Sequence, residues 1–186
     1  MRALIIADVQ NDFCEGGSLP VTGGAAVAKA ITDYLAAGTG YEQIVATRDY
    51  HVQPGRHFSD HPDYVDTWPP HCVAGTRGSQ FYPALDGSRV DEVFTKGEYA
   101  AAYSGFEGVS GDGRPLVVWL RDCAITDVDV VGLATDHCVR ATAADAAAEG
   151  FGTRVLLRLT AGVLPLTTER ALDQLRAAGV DLVEKA

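Results

Sequence analysis

The chain has 186 residues, of which 47% are hydrophobic and 22% are charged, so its composition excludes a disordered segment. A formal net charge of −10, without any Lys/Arg cluster, argues against nucleic acid and anionic membrane as partners. No apolar run reaches the roughly 18 residues that a membrane span needs. The length predicts a single domain over residues 1–186, and four cysteines without a CxxC pair predict reduced thiols in the cytoplasm.

Short apolar segments alternate along the chain with segments of helical character. We predict strands at 4–9, 43–47, 90–95, 128–133, 154–159 and 180–184, and helices at 25–37, 116–122, 138–150 and 167–178. This alternation predicts an α/β fold, in which a parallel sheet carries helices on both faces and binds ligands at the carboxyl ends of its strands. The irregular region from Val52 to about Phe81 is too long for an ordinary connection, and we expect it to be functional.

The segment after the fourth predicted strand gives the strongest single indication of chemistry. Thr135 and Asp136 are good N-cap residues, and Cys138 would lie in the first turn of the helix that they begin. Unpaired backbone N–H groups and the helix dipole at that position would lower the pKa of its thiol from about 8.5 to about 3.5–7.5. The alternative is a small buried hydrophobic residue, which would have no need of a capped helix start.

Asp8 and Lys96 stand at the ends of the first and third predicted strands, on the same sheet edge as Cys138. A thiolate could attack a carbonyl there while Asp8 takes the thiol proton and later delivers it to a leaving amine. Lys96 could hold both anions in place, and the backbone N–H of Cys138, with another from the turn at 133–135, would form an oxyanion hole. An ordinary ion pair between Asp8 and Lys96 explains their positions equally well.

A second group combines one carboxylate with three imidazoles: Asp49, His51, His57 and His71. Residues 49 and 51 project from the same face of an extended segment, and the long loop that contains the other two could fold back over them. Such a donor set suits Zn²⁺, Fe²⁺ or Mn²⁺. Surface loops also collect histidine for solubility, and we assign His61 to that class. Cys72 could be a further ligand or a buried, inert thiol.

The motifs that contain these residues are DVQNDF at 8–13, DYH at 49–51 with His57 and His71, KG at 96–97, and ATDHCV at 134–139. Together they resemble the motifs of the nicotinamidase/pyrazinamidase branch of the isochorismatase-like cysteine hydrolases. The resemblance extends over essentially the whole chain. The lysine and cysteine motifs are shared by the broad superfamily, whereas the aspartate–histidine set is specific to this branch.

The resemblance implies a Rossmann-like three-layer sandwich with six parallel strands in the order 3-2-1-4-5-6. It implies that Asp8, Lys96 and Cys138 form a catalytic triad, and that the oxyanion is bound by the N–H groups of Cys138 and of Ala134, which would follow a cis peptide. It also implies one divalent ion, Fe²⁺, Zn²⁺ or Mn²⁺, bound by Asp49, His51, His57 and His71. The implied substrate pocket is lined by Phe13, Leu19, Trp68, Tyr103, Leu133 and His137.

The implied reaction is the hydrolysis of nicotinamide to nicotinic acid and ammonia, and of pyrazinamide to pyrazinoic acid, through a thioester on Cys138. The metal ion would hold the ring nitrogen of the substrate. The resemblance places the enzyme in NAD salvage, and we expect a monomer without nucleic-acid or membrane partners. Pro20 and Val21 lie beside the expected pocket mouth. Two alternatives remain open: a metallohydrolase whose ion activates water, and a metal- or ligand-binding module without catalysis.

Overall fold

Six parallel strands, hydrogen-bonded in the order β3-β2-β1-β4-β5-β6, form the sheet on which the chain is built. This is a computed structural model, and it describes residues 1–184. The strands are β1 Arg2–Ala7, β2 Gln43–Asp49, β3 Glu92–Lys96, β4 Asp127–Leu133, β5 Gly152–Ala161 and β6 Asp181–Val183. The helices are α1 Gly24–Ala36, α2 Leu116–Asp122, α3 Arg140–Ala148 and α4 Pro165–Ala177. The predicted fold class and strand order are confirmed.

Two hydrophobic cores lie on the two faces of the sheet, because successive side chains of a strand point to opposite faces. In β1, Leu4 and Ile6 belong to the core that includes α1, whereas Ile5 belongs to the core that includes α2, α3 and the end of α4. All three side chains are inaccessible to solvent. The central strands are therefore apolar throughout, which is why they stand out so clearly in the sequence.

The strand boundaries differ from the prediction where the functional residues lie. β1 ends at Ala7, because Asp8 adopts a left-handed conformation with φ of 49° and the chain turns there. β2 continues through Asp49, which pairs with Lys96 of β3, so both residues lie within strands instead of after them. Polar residues at the end of a strand do not end it when a neighbouring strand still offers hydrogen-bonding partners.

The region from 52 to 81 contains one short 3-10 turn at Gly55–His57 and is otherwise irregular. Isolated bridges join Gln10 to Phe81, His51 to Val73, and Phe58 to Trp68. The region therefore lies against the carboxyl edge of the sheet instead of extending into solvent. Among residues 1–184, no helix combines the length and the apolar character that crossing a membrane requires.

Candidate active site and metal centre

Asp8, Lys96 and Cys138 come together at the carboxyl edge of the sheet from three distant parts of the chain. Asp8 follows β1, Lys96 ends β3, and Cys138 lies in the π-helical turn Thr135–Val139 that follows β4. The Nζ atom of Lys96 lies 2.9 Å from Oδ2 of Asp8 and 3.9 Å from Sγ of Cys138. Asp8 is further held by Thr47, whose hydroxyl donates to Oδ1 at 2.6 Å. Thr47 carries no motif signature, so the sequence alone does not reveal it.

Burial governs the protonation of this group. It raises the pKa of the Cys138 thiol well above the usual value, although Lys96 acts in the opposite direction. This direction is opposite to the lowered thiol pKa expected from a helix start, because a buried thiolate would lose its hydration. Burial also raises the pKa of Asp8, again against the influence of Lys96. Burial opposes the charge of Lys96, but Asp49 and Asp8 together raise its pKa well above the usual value.

The turn that carries Cys138 is not capped in the predicted way. No side chain caps its first residue, and α3 begins only at Arg140. The carboxylate of Asp136 instead accepts hydrogen bonds from the backbone N–H groups of Val163 at 2.9 Å and Leu164 at 3.3 Å, and from the hydroxyl of Thr167. The N-cap prediction is thus wrong, because the carboxylate of Asp136 binds the residues that lead into α4, which packs against this turn.

The peptide bond between Leu133 and Ala134 is cis, as the resemblance implied. The carbonyl of Ala134 accepts from the backbone N–H groups of His137 at 3.0 Å and Val139 at 3.1 Å, which closes the turn on itself. Ala134 and Cys138, the two residues expected to supply oxyanion donors, both line the same cavity.

The side chains of His51, His57 and His71 converge beside this group. Each offers one ligand nitrogen, and the three nitrogens lie within 4.8 Å of one another. Nδ1 of His51 contacts the carbonyl oxygen of Gly97 at 2.6 Å, and Nδ1 of His71 contacts that of Pro69 at 2.8 Å. Each contact engages Nδ1 and orients the ring, which leaves Nε2 as the nitrogen that each of these rings can offer to a metal, as in many metal-binding histidines.

The donor atoms of this cluster fit a metal ion. Nε2 of His51 and Nδ1 of His57 are buried without a hydrogen-bond partner among the described residues, which is costly unless a cation uses them. Burial, with the neighbouring His71 and His51, lowers the pKa of His57 to about 4, and burial lowers that of His71. Both shifts favour the neutral imidazole, which is the form that binds metal. Cys72 is buried and directs its Sγ towards the carbonyl of Gly78, at 3.9 Å.

Asp49 lies between the two groups. Its Oδ1 is 2.5 Å from Nζ of Lys96, and its Oδ2 is 3.7 Å from Nε2 of His51. The backbone of Asp49 is held by Gln10, whose side-chain amide donates to the Asp49 carbonyl and accepts from the Asp49 N–H, both at 2.8 Å. Gln10 belongs to the DVQNDF motif, but only the fold shows that it contacts this strand.

A cavity at the same edge connects the thiol with the imidazole cluster. Cys138, Asp49, His57 and His71 all line it. So do all the residues that the resemblance implied for a substrate pocket: Phe13, Leu19, Trp68, Tyr103, Leu133 and His137. The remaining walls come from Pro20 and Val21, expected near the mouth, and from Ala102 and Val163, which no sequence signal indicated.

Aromatic contacts shape one wall of the cavity. The indole N–H of Trp68 donates to the hydroxyl of Tyr103 at 2.9 Å. The ring of His137 lies edge-on to Trp68, with centroids 5.3 Å apart, and is tilted by only 27° from the ring of Tyr103. These contacts hold flat side chains in place around a space suited to a small planar ligand.

Comparison with known proteins agrees with this geometry. Residues 2–186 match the Isochorismatase domain family. The nicotinamidase/pyrazinamidase of Mycobacterium tuberculosis is 62% identical over 98% of each chain, and the nicotinamidase of Escherichia coli is 35% identical over 97% of this chain and 93% of its own.

Solved structures give the same result. PnC1 from L. infantum in complex with nicotinate has a TM-score of 0.87 and 36% identity, covering 98% of this chain and 92% of that one. The pyrazinamidase of Pyrococcus horikoshii in complex with zinc has a TM-score of 0.82 and 37% identity, covering 99% of each chain. With a family match over nearly its full length and relatives this similar, the chain belongs to the isochorismatase domain family.

Proposed function

We propose that this protein is a nicotinamidase/pyrazinamidase, which hydrolyses nicotinamide to nicotinic acid and ammonia, and pyrazinamide to pyrazinoic acid. The observation that carries the proposal is a single cavity lined by a thiol and by two members of a buried imidazole cluster. The 62% identity to the Mycobacterium tuberculosis enzyme supports the same substrates. Trp68, Tyr103 and His137 supply aromatic surface against which a heteroaromatic ring can pack.

In the proposed first half of the reaction, Asp8 takes the thiol proton as Sγ of Cys138 bonds to the carboxamide carbon. A carboxylate oxygen of Asp8 and Sγ of Cys138 lie within 4.8 Å of one another, and Nζ of Lys96 is close to both side chains. The proton then passes from Asp8 to the nitrogen, the carbon–nitrogen bond breaks, and ammonia leaves a thioester behind. Because burial raises the pKa of the Cys138 thiol, removal of its proton by Asp8 is an essential part of this step.

In the second half, Asp8 takes a proton from water, whose oxygen attacks the thioester carbon. The carbon–sulfur bond breaks, the proton returns to Sγ, and the acid leaves. In both halves the N–H groups of Ala134 and Cys138 would stabilise the oxyanion. Six side chains would enclose the ring: Phe13, Leu19, Trp68, Tyr103, Leu133 and His137.

We further propose that Asp49, His51, His57 and His71 hold one divalent ion, Fe²⁺, Zn²⁺ or Mn²⁺. The unpartnered buried nitrogens of His51 and His57 support this assignment. When bound, the ion would supply a Lewis-acidic position that orients the ring nitrogen of the substrate. The hydrogen bonds of His51 and His71 to backbone carbonyls keep their rings in place for that role.

We place the enzyme in cytoplasmic NAD salvage, acting as a monomer on small molecules. The four cysteines, Cys14, Cys72, Cys123 and Cys138, are all free, which suits a reducing compartment. The acidic net charge of −10 gives no support to a nucleic-acid partner.

Replacement of the nucleophile tests the proposal. Cys138→Ala should lower ammonia release from nicotinamide at least about a thousandfold while the metal content stays unchanged. Cys123→Ser is the matched control, because Cys123 is partly exposed and lies outside the cavity. Iodoacetamide should inactivate the Cys123→Ser protein with a single mass adduct on Cys138. Retained turnover in Cys138→Ala, or in protein whose mass shows complete alkylation of Cys138, would refute the thioester and favour water activated by the metal.

A further inference from the structure

Asp12 contacts the loop that carries His71, although it is neither a predicted ligand nor in the cavity lining. Its Oδ2 accepts a hydrogen bond from the backbone N–H of Cys72 at 2.7 Å, and its Oδ1 accepts from the N–H of Ser18 at 3.2 Å. Cys72 directly follows His71 in the chain. The carboxylate of Asp12 therefore anchors the backbone one residue away from a candidate ligand.

The anchor completes the positioning of His71. On its amino-terminal side, Nδ1 of His71 contacts the carbonyl oxygen of Pro69, and on its carboxyl-terminal side Asp12 holds Cys72. The ring of Phe13 also lies 5.5 Å from that of His71, between centroids. The backbone carbonyl of Cys72 accepts from the N–H of His51 at 3.0 Å, so the bridge to His51 holds the carboxyl-terminal side of Cys72. The contact with Asp12 instead fixes the peptide that joins Cys72 to His71, which that bridge does not engage.

Gly78 provides the space that the carboxylate occupies. A Cβ atom at this position would lie 2.0 Å from Oδ2 of Asp12, the oxygen that accepts from Cys72. The backbone of Gly78 is not in the left-handed region, so an alanine meets no conformational barrier there. The contact with Asp12 is therefore the reason for a glycine, and an alanine would displace the anchor without changing Asp12 itself.

We propose that Asp12 is a positioning residue for the metal centre, which acts by fixing the backbone that presents His71. This inference rests on the metal site proposed above. The carboxylate of Asp12 does not bind the ion itself. It restricts the conformation of an irregular loop, so that the imidazole of His71 is already in place when the ion binds.

The test measures Co²⁺ affinity of metal-stripped protein by competition with a chromophoric chelator, together with the visible spectrum of the bound ion. Asp12→Asn keeps the shape of the side chain but has one oxygen for two N–H donors. We expect Asp12→Asn and Gly78→Ala each to weaken Co²⁺ binding about tenfold or more. The double variant should bind Co²⁺ no more weakly than the single variant with the lower affinity, because both changes disrupt the same contact.

Asn11→Ala is the matched control. The Asn11 side chain donates to the carbonyls of Arg77 at 2.8 Å and Gln80 at 3.1 Å, on either side of Gly78, so it supports the same segment without contacting the N–H of Cys72. Asn11→Ala should lower the melting temperature and leave the Co²⁺ affinity unchanged within about twofold. If the role of Asp12 were purely structural, Asp12→Asn and Asn11→Ala would instead change the melting temperature and the Co²⁺ affinity alike.

The outcomes separate the two proposals. Wild-type affinity in both Asp12→Asn and Gly78→Ala would overturn the role of Asp12 and leave the metal site standing. Equal weakening in Asn11→Ala would also overturn it. Failure of the wild-type protein to bind Co²⁺ would instead refute the metal site, and this inference with it. If Asp12→Asn does not fold, Gly78→Ala carries the same test.

Discussion

The ammonium group of Lys96 lies 2.5 Å from Oδ1 of Asp49, closer than the 2.9 Å that separates it from Oδ2 of Asp8. Lys96 also donates to the carbonyl of Ala102 at 3.2 Å. All three charged side chains are almost completely buried. A single cation thus balances one carboxylate from each half of the site, which ties the thiol group and the imidazole cluster together electrostatically.

Loss of this cation should destabilise the fold strongly. Lys96→Met would leave two buried carboxylates, those of Asp8 and Asp49, with oxygens within 4.8 Å of one another and without the ammonium group that balances their charge. We expect a loss of about 3–5 kcal/mol in the free energy of unfolding, measured by urea denaturation. Lys29→Met is the control, since Lys29 pairs with Asp33 at 2.6 Å on the exposed face of α1 and should cost under about 0.5 kcal/mol. Similar losses in both variants would contradict this account.

Gly97 should be essential for His51. Its φ is +76°, and a Cβ atom there would lie 2.7 Å from Cε1 of His51. Gly97→Ala should therefore strain the backbone and displace the ring as well, weakening Zn²⁺ binding about tenfold or more in a chelator competition.

Gly38 offers a matched comparison for Gly97. Its φ is +81°, but a Cβ atom there would meet nothing within 4 Å. Gly38→Ala should cost about 1 kcal/mol of stability and leave the Zn²⁺ affinity unchanged. Weaker Zn²⁺ binding in both variants would show that backbone strain, and not the contact with His51, is responsible.

Asp136 should affect substrate binding through Val163. Asp136→Asn removes one acceptor from a carboxylate that serves three donors, so the start of α4 and the adjoining cavity wall lose support. We expect about 1–2 kcal/mol of destabilisation and a higher KM for nicotinamide with unchanged metal affinity. Thr167→Val keeps both backbone contacts and should have a smaller effect on KM. An unchanged KM in Asp136→Asn would rule out this role.

Asp129 should determine part of the acid stability. Burial opposes its charge, but hydrogen bonds from Arg154, Tyr41 and Arg2 lower its pKa below the ordinary 3.8. A lowered pKa in the folded protein means stability that is fully present above pH 3.8 and is lost as the pH falls through the folded pKa. The stability difference between wild type and Asp129→Asn should thus be constant from pH 7 to about pH 5 and shrink below it; a difference that grows on acidification would contradict this.

Local patterns in the sequence predict the sheet, because buried strands and amphipathic helices differ in period and composition. They also place Asp8, Lys96 and Cys138 on one edge, since parallel strands end together. Two features escape such patterns. Asp136 is a good N-cap by type, yet its carboxylate accepts from Val163 and Leu164, the two residues before α4, and only packing decides between these roles. The pKa of Cys138 depends on burial by the whole fold, which no single helix start reveals.

The hydrogen bonds of Asp136 to the residues before α4 have a dynamic consequence. Val163 and Leu164 donate to a carboxylate on the turn that bears the nucleophile, so the cavity wall cannot swing outwards unless those N–H groups are released. Outward movement of Val163 therefore requires that the residues before α4 first detach from Asp136. Amide hydrogen exchange at Val163 and Leu164 would then report how often this cavity wall detaches, without any ligand being present.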